Sequence, residues 1–332
     1  MMRTRTLGRH GPAVSAIGLG CMGMSGVYGA SDRSESIATI HAALERDVNL
    51  LDTGDFYGSG HNELVIREAL QGRARDKVLL SVKFGALRDP ENRFIGFDGR
   101  PAAVRNFLTY SLRRLGTDYI DIYRPARLDP AVPIEDTVGA IADMVKAGYV
   151  RWIGLSEVGA ETIRRAAAVH PIVDLQIEYS LISRGIESKI LPACRELGIG
   201  ITAYGVLSRG LISGHWSKER ASDPRDFRQH SPRFRPENLD RNLALVEALR
   251  RIAKAKRVSV AQIAIAWVLS RGEDILPVIG SRRVDQLTEA LGSLDLALGP
   301  ADFTAIAGAV PPDAAAGTRY DAHQMAMLDS ER

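Results

Sequence analysis

The sequence predicts a (β/α)8 TIM barrel, on three observations. Short apolar runs alternate with amphipathic helical stretches, a pattern that calls for a parallel sheet. Eight such strand-then-helix units can be traced along the 332 residues, a length one barrel with extra loops can hold. No low-complexity linker or composition break divides the chain, so residues 1–332 are expected to form a single barrel domain. The units run in order. Ala13–Leu19 reads as a strand and Arg33–Arg46 as a helix, capped by Ser31 or Asp32. Asn49–Asp52 and His61–Leu70 form the second unit; Val78–Lys83 and Pro101–Leu115 form the third, with Pro101 suited to a first turn. Tyr119–Tyr123 and Ile134–Lys146, then Val150–Ser156 and Ala160–Val169, then Ile172–Glu178 and Glu187–Leu197 follow. Gly200–Tyr204 is the seventh strand, followed by a long insertion and helices near Leu239–Lys256 and Ser259–Leu269. Ile275–Ile279 and Val284–Leu291 close the set.

Composition excludes several function classes. Apolar residues make up 45% and charged residues 25%, a globular balance. The net charge of +3 is too weak and too evenly spread to point to nucleic acid. No apolar run approaches the ~18 residues of a membrane span, and Met1–Arg5 has no apolar segment behind it. Two cysteines without metal spacing fit a reducing cytoplasm, and seven scattered histidines argue against a metal site. Oligomeric state is left open.

Gly18–Gly23 matches G-x-G-x-x-G, the dinucleotide fingerprint of a Rossmann dehydrogenase. That motif needs a helix beginning within it. Gly26 and Gly29 follow too soon for one, and no strand ending in an acid lies about 20 residues on. The run reads instead as a barrel strand opening into a glycine-rich loop.

Barrel chemistry belongs at the C-terminal ends of the strands. Asp52 ends the second strand, Lys83 ends the third, and Tyr57 lies in the loop between their units. An acid ending an apolar strand is costly to bury alone, and Lys83 offers the compensating charge. An ammonium beside a phenol lowers the phenol's pKa, so Tyr57 becomes a proton donor to a carbonyl oxygen. An ordinary buried ion pair with a core tyrosine beside it explains the same residues.

At this point the chain resembles the aldo-keto reductase superfamily over nearly its whole length. Leu51–Gly58 with Asn62-Glu63 is similar to the "DTAxxYGxxxNE" signature, Ile153–Glu157 to the fifth-strand "GxS", and Gln176–Ser180 to "QxxYS". Ala203–Gly210 resembles "YSPLGRG", and Pro277–Arg282 resembles "PIPGTR". The resemblance implies a carbonyl reductase using NADPH and a small-molecule carbonyl substrate, with no nucleic-acid or membrane partner. It implies Tyr57 as general acid, Lys83 as its partner and Asp52 as the partner of Lys83. Ser156 and Gln176 would meet the nicotinamide carboxamide, and Tyr204 would stack on the ring. Leu207, Arg209 and Gly210 would meet the pyrophosphate. Gly280, Ser281 and Arg282 would grip the 2′-phosphate, and Gln286 and Glu289 would approach adenine.

Three positions depart from the family pattern. Ala126 stands where a histidine orients the substrate carbonyl; the gap implies modest turnover and room for bulky ketones. Arg124 and Arg127 flank it; a surface role is expected for each, with one of them reaching the substrate as the alternative. Glu157 replaces an asparagine, and a carboxylate can only accept from the carboxamide. Ala290 replaces an asparagine placed near adenine.

Ser208–Asp240 is too long for an ordinary connection. It carries Lys218, Arg220, Arg225, Arg228, Arg233 and Arg235, with Glu219, Asp223 and Asp226, and reads as a flap over an anionic cofactor. Gly317–Arg332, with Tyr320, Met325, Met327 and Leu328, is expected to fold over the barrel mouth. A regulatory subunit on the same scaffold, similar to potassium-channel β subunits, is the alternative function; intact Asp52, Tyr57 and Lys83 favour the enzyme.

Overall fold

The computed structural model describes residues 2–217 and 226–332. Eight parallel strands close into a barrel: β1 (Gly18–Gly20), β2 (Leu50–Gly54), β3 (Leu79–Phe84), β4 (Ile120–Pro125), β5 (Val150–Ser156), β6 (Ile172–Glu178), β7 (Gly200–Tyr204) and β8 (Ile275–Gly280). β8 returns to β1 with Val278, Ile279 and Gly280 paired to Gly18, Leu19 and Gly20. The outer layer holds α1 (Arg33–Leu44), α2 (His61–Ala69), α3 (Pro101–Leu115), α4 (Ile134–Lys146), α5 (Ala160–Val169), α6 (Ile190–Leu197), α7 (Pro236–Lys256), α8 (Val260–Leu269) and α9 (Val284–Leu291). Two further helices, α10 (Pro300–Ala309) and α11 (Ala322–Ala326), follow.

The expected first strand is two pieces. Ala13–Ser15 pairs antiparallel with Thr4–Thr6 in a hairpin, and only Gly18–Gly20 enters the barrel. Leu7 and Val14 from this hairpin segment pack with Leu50, Leu79, Ile122, Val173, Leu276 and Val278 as an apolar plug. The glycines of β1 serve closure. A Cβ on Gly18 would lie 2.9 Å from Leu50 Cδ2, and one on Gly20 would lie 3.1 Å from Val278 Cγ1. The run after them is a short 3-10 turn, Met22–Ser25, so no dinucleotide helix starts here.

Above the plug the barrel interior turns polar. Arg124 on β4 is fully buried and donates to both carboxylate oxygens of Asp174 on β6, at 3.0 and 2.9 Å, while Thr202 on β7 also donates to Asp174. This corrects the surface role expected of Arg124: the strand runs on through it because the ion pair is part of the core. Gly154 on β5 makes room for the pair, since a Cβ there would lie 2.4 Å from Asp174 Oδ1 and 2.8 Å from Arg124 Nε.

Helix ends follow local chemistry. Ser259 and Gln262 form a capping box on α8, and Gly116 ends α3 in the left-handed region. Among the described residues no helix is long and apolar enough to cross a membrane, and no group of three or more His, Cys, Asp or Glu is placed to hold a metal.

Candidate active site

The next interior layer, at the C-terminal end of the strands, centres on Asp52. Lys83 Nζ donates to Asp52 Oδ1 at 2.5 Å, while Ser81 Oγ and Gln176 Nε2 donate to Oδ2 at 2.9 and 2.6 Å. The β2–β3 register sets Asp52 beside Ser81 and Gly54 beside Lys83. Tyr57 opens the turn after β2 and is buried; Lys83 Nζ lies 5.1 Å from its ring centroid. The three residues singled out in the sequence therefore converge.

Their electrostatics differ from the expected tuning. Burial, then the Asp52 charge, pushes the Tyr57 hydroxyl well above its ordinary range, and Arg127 is the cation that draws it down. Lys83 sits over the ring face with its charge spent on Asp52. Burial pulls the Lys83 ammonium down, and Asp52 opposes that pull.

Ser156 ends β5 in register with Gln176. Glu157, next along, has φ +53, a left-handed conformation that costs energy for a residue with a Cβ. Its side chain is fully committed. Oε1 accepts from Tyr204 Oη (2.7 Å), Glu178 N (2.9 Å) and Arg319 Nη1 (3.0 Å), and Oε2 from Arg319 Nη2 and Ser330 Oγ (both 2.8 Å). Burial pushes this carboxyl up, but Arg319, Arg127 and the Tyr204 hydroxyl together outweigh it and hold it well below the usual carboxylate range.

The C-terminal segment does cross the mouth. Ala316 is fixed by two bonds with Asn242 of α7, and Asp329 accepts from Gly159 N at 2.8 Å. Between these anchors Tyr320 Oη lies 2.9 Å from Tyr204 Oη and 3.4 Å from Arg127 Nη2, and the Arg209 guanidinium stacks 4.5 Å from the Tyr320 ring. Sequence reasoning did not single out Arg319. The available signal was Glu157 itself, an acid at a buried strand end that needs a cation.

Leu207, Arg209 and Gly210 lie in the turn after β7, where Ser208, Arg209 and Gly210 all have positive φ. Arg209 Nη1 donates to the Arg319 carbonyl at 2.9 Å, and Nη2 lies 3.6 Å from Glu178. Gly280 ends β8, the last strand, and Ser281 is buried with its hydroxyl unpartnered among the described residues. Arg282 donates to the Tyr28 and Ala30 carbonyls at 3.2 and 3.0 Å, and Gln286 accepts from Arg282 N. Glu289 meets His215 Nε2 at 2.9 Å. Ala290 is buried in the core.

The described part of the flap packs against the turn after β7 and the loop holding Tyr28. Tyr28 bridges to Asp226, and Arg228 pairs with Asp226 while donating to the Arg209 carbonyl at 3.2 Å. Arg228 also lies 4.6 Å over the ring of Trp216, which packs edge-on to Phe234 at 4.8 Å. Arg233 is buried and donates to Glu178, Ser183 and the Ile182 carbonyl, so it ties the flap to β6. Lys218, Glu219, Arg220, Asp223 and Arg225 lie outside the described residues.

The family model described as Aldo/keto reductase family matches residues 16–310. The chain belongs to the aldo/keto reductase family. It is 42% identical to a probable aldo-keto reductase of Glycine max over 316 residues, 95% of this chain and 90% of the relative. Among solved structures it superposes on a glycerol dehydrogenase of Gluconobacter oxydans with a TM-score of 0.83 at 28% identity, covering 92% and 94% of the two chains. A thermostable aldo-keto reductase solved with the inhibitor epalrestat shares the fold, with a TM-score of 0.74 at 24% identity over 93% and 100%. As an aldo/keto reductase the protein is an oxidoreductase of the class that reduces carbonyl groups with a nicotinamide cofactor.

Proposed function

We propose that this aldo/keto reductase is a cytoplasmic, NADPH-dependent reductase of bulky ketones, with Tyr57 as general acid. The observation that carries the reading is the convergence of Asp52, Lys83 and Tyr57 in one buried layer at the barrel mouth. The donor set also suits the cofactor. Among the described residues Ser281 offers a buried hydroxyl without a partner, and the Arg282 guanidinium bonds only to backbone carbonyls, so both have capacity for a phosphate. Ser156 and Gln176 lie in register at the strand ends, with Tyr204 ending the next strand, which supports the reading that they meet a carboxamide and a ring.

Bound there, the nicotinamide supplies a hydride to the carbonyl carbon. Tyr57 gives its proton to the carbonyl oxygen as negative charge develops on it. Arg127 is the cation whose charge favours the phenolate left behind, while Lys83, paired with Asp52, sits over the ring face. Asp52 keeps Lys83 protonated against its burial, and Ser81 and Gln176 hold Asp52 in place. Ala126 presents only a methyl group where a donor would crowd the carbonyl, which favours a bulky ketone over a small aldehyde.

Tyr57→Phe keeps the ring and removes the transferable proton. Turnover, followed as cofactor oxidation with a panel of ketones, is expected to fall by about 10²–10⁴-fold while cofactor still binds. A variant with near-native kcat overturns the assignment of Tyr57.

A further inference from the structure

The arginines around the barrel mouth are nearly all matched to carboxylates. Arg124 pairs with Asp174, Arg209 and Arg233 share Glu178, Arg228 pairs with Asp226, and Arg319 pairs with Glu157. Two have no carboxylate within ion-pair distance among the described residues. One is Arg282, assigned above to the cofactor phosphate. The other is Arg127.

Arg127 follows Ala126 at the end of β4, is half-buried, and folds its guanidinium back over its own chain. Its one short bond is Nη1 to the Ala126 carbonyl at 2.7 Å. The other contacts, to Ser156 Oγ and Tyr320 Oη, are both 3.4 Å. A guanidinium has five N–H donors in a planar fork, so most of this one's capacity is unspent. Glu157 acts on it from a distance, but that carboxylate is already filled by Arg319, Tyr204, Ser330 and the Glu178 amide. Ala126 beside it is buried and offers only a methyl group, not a partner. The Tyr57 hydroxyl, where a carbonyl oxygen would sit, lies within the electrostatic reach of this same guanidinium. With most of its fork open, this guanidinium is matched by a carboxylate ligand.

We propose that Arg127 is a substrate-binding residue that takes the carboxylate of a 2-oxo acid, with the neighbouring ketone directed at Tyr57. The inference rests on the reading of Tyr57 as the proton donor and narrows its substrate class. The proton still passes from Tyr57 to the ketone oxygen, and the carboxylate is bound without reacting.

The test compares benzoylformate with its methyl ester, a pair that differs in charge at the same skeleton, on the whole protein with NADPH. In Arg127→Met the kcat/KM ratio of acid to ester is expected to fall about 10–150-fold, mainly through KM for the acid, the range for a charge-assisted bond. Arg127→Lys, which keeps the charge without the fork, recovers part of that ratio. Equal losses on both compounds, or an unchanged ratio, overturn the proposal. A second source of anion is the cofactor itself: if Arg127→Met weakens NADPH binding by the same factor and leaves the ratio intact, Arg127 is a cofactor residue and the proposal fails. A wild type that reduces neither compound defeats the reductase reading instead. Calorimetric titration with benzoylformate then judges Arg127 separately: the proposal requires the affinity to drop about 10–150-fold in Arg127→Met, and equal affinities overturn it.

Discussion

At the scale of single residues, the barrel mouth contains one acid that works against its surroundings. Asp55 is buried, and neither of its carboxylate oxygens has a partner. Burial first, then the Glu63 charge, lifts its pKa from 3.8 to about 7, against a smaller pull from Arg114. The native protein therefore keeps a proton that the unfolded chain gives up near pH 4. The stability this contributes is full below pH 4 and is lost as pH rises through 7. Asn at this position stays neutral throughout. Asp55→Asn should gain on the wild type as pH rises, with a larger difference in Tm at pH 8 than at pH 5. A difference that is flat or shrinks over that range removes the argument. Arg282 poses a separate question on the other side of the mouth. With only backbone carbonyls to hold it, it is available to a 2′-phosphate, and a charge-assisted contact there contributes roughly 1.5–3 kcal/mol. Arg282→Ala should bring the Kd values for NADPH and NADH together by about 10–150-fold, read by direct titration. Unchanged NADPH affinity excludes Arg282 from that role.

At the scale of elements, β5 is built around an absence. Gly154 leaves the volume that Arg124 and Asp174 fill, and adding one methyl group drives directly into both. Gly154→Ala must displace a buried ion pair, and disrupting such a pair costs about 3–5 kcal/mol. Gly139 within α4 has no atom within 4 Å of a Cβ built on it, so Gly139→Ala should stabilise by about 0.5–1 kcal/mol through helix propensity alone. Urea unfolding of the two variants should move in opposite directions; a shared sign contradicts the packing account. These elements also mark how far the sequence could be read. Buried parallel strands are short apolar runs, so β2 to β8 were placed within a few residues. β1 was overextended because the hairpin and the barrel strand share one apolar run, and only closure against β8 separates them. β4 continued past Tyr123 because Arg124 is buried, and its partner lies 50 residues away. The hairpin of Ala86–Arg88 with Phe94–Phe97 went unread, as did α10, although Gly299 and Pro300 are ordinary signals for a helix start. Asp52, Tyr57 and Lys83 were legible because strand ends in a barrel share one face. Arg319 was not, and Arg127 was read with a surface role expected and reach to the substrate only as the alternative, because what distinguishes them is which carboxylates their neighbours have already taken.

At the scale of the whole molecule, the two ends of the barrel are closed by different means. An apolar hairpin fills one end, and a polar strap held by ion pairs crosses the other. Arg319 is the rivet of that strap. It carries Glu157 in a two-point pair, reaches Glu331, and positions Tyr320 between Tyr204 and Arg209. Arg319→Ala leaves Glu157 charged, buried and without its cation, a loss of about 3–5 kcal/mol. The variant should melt well below the wild type and be cut sooner by proteases within Gly317–Arg332. A variant that melts and resists cleavage like the wild type shows that the strap is held elsewhere. Because Tyr320 and its neighbours share the residues assigned to the cofactor, loosening the strap should also raise the rate at which NADPH associates.

Trp216 gives these events an optical signature. The chain has three tryptophans. Trp152 donates to the His10 carbonyl at the plugged end, and Trp267 packs beside Tyr179 in the helical layer. Only Trp216 lies under Arg228, and Arg228 is bonded to the backbone of Arg209. Replacing the other two by phenylalanine leaves a single fluorophore whose emission changes when that arginine moves. A nicotinamide that absorbs in the band where indole emits would quench it by energy transfer, so cofactor binding could be followed in real time without any added dye.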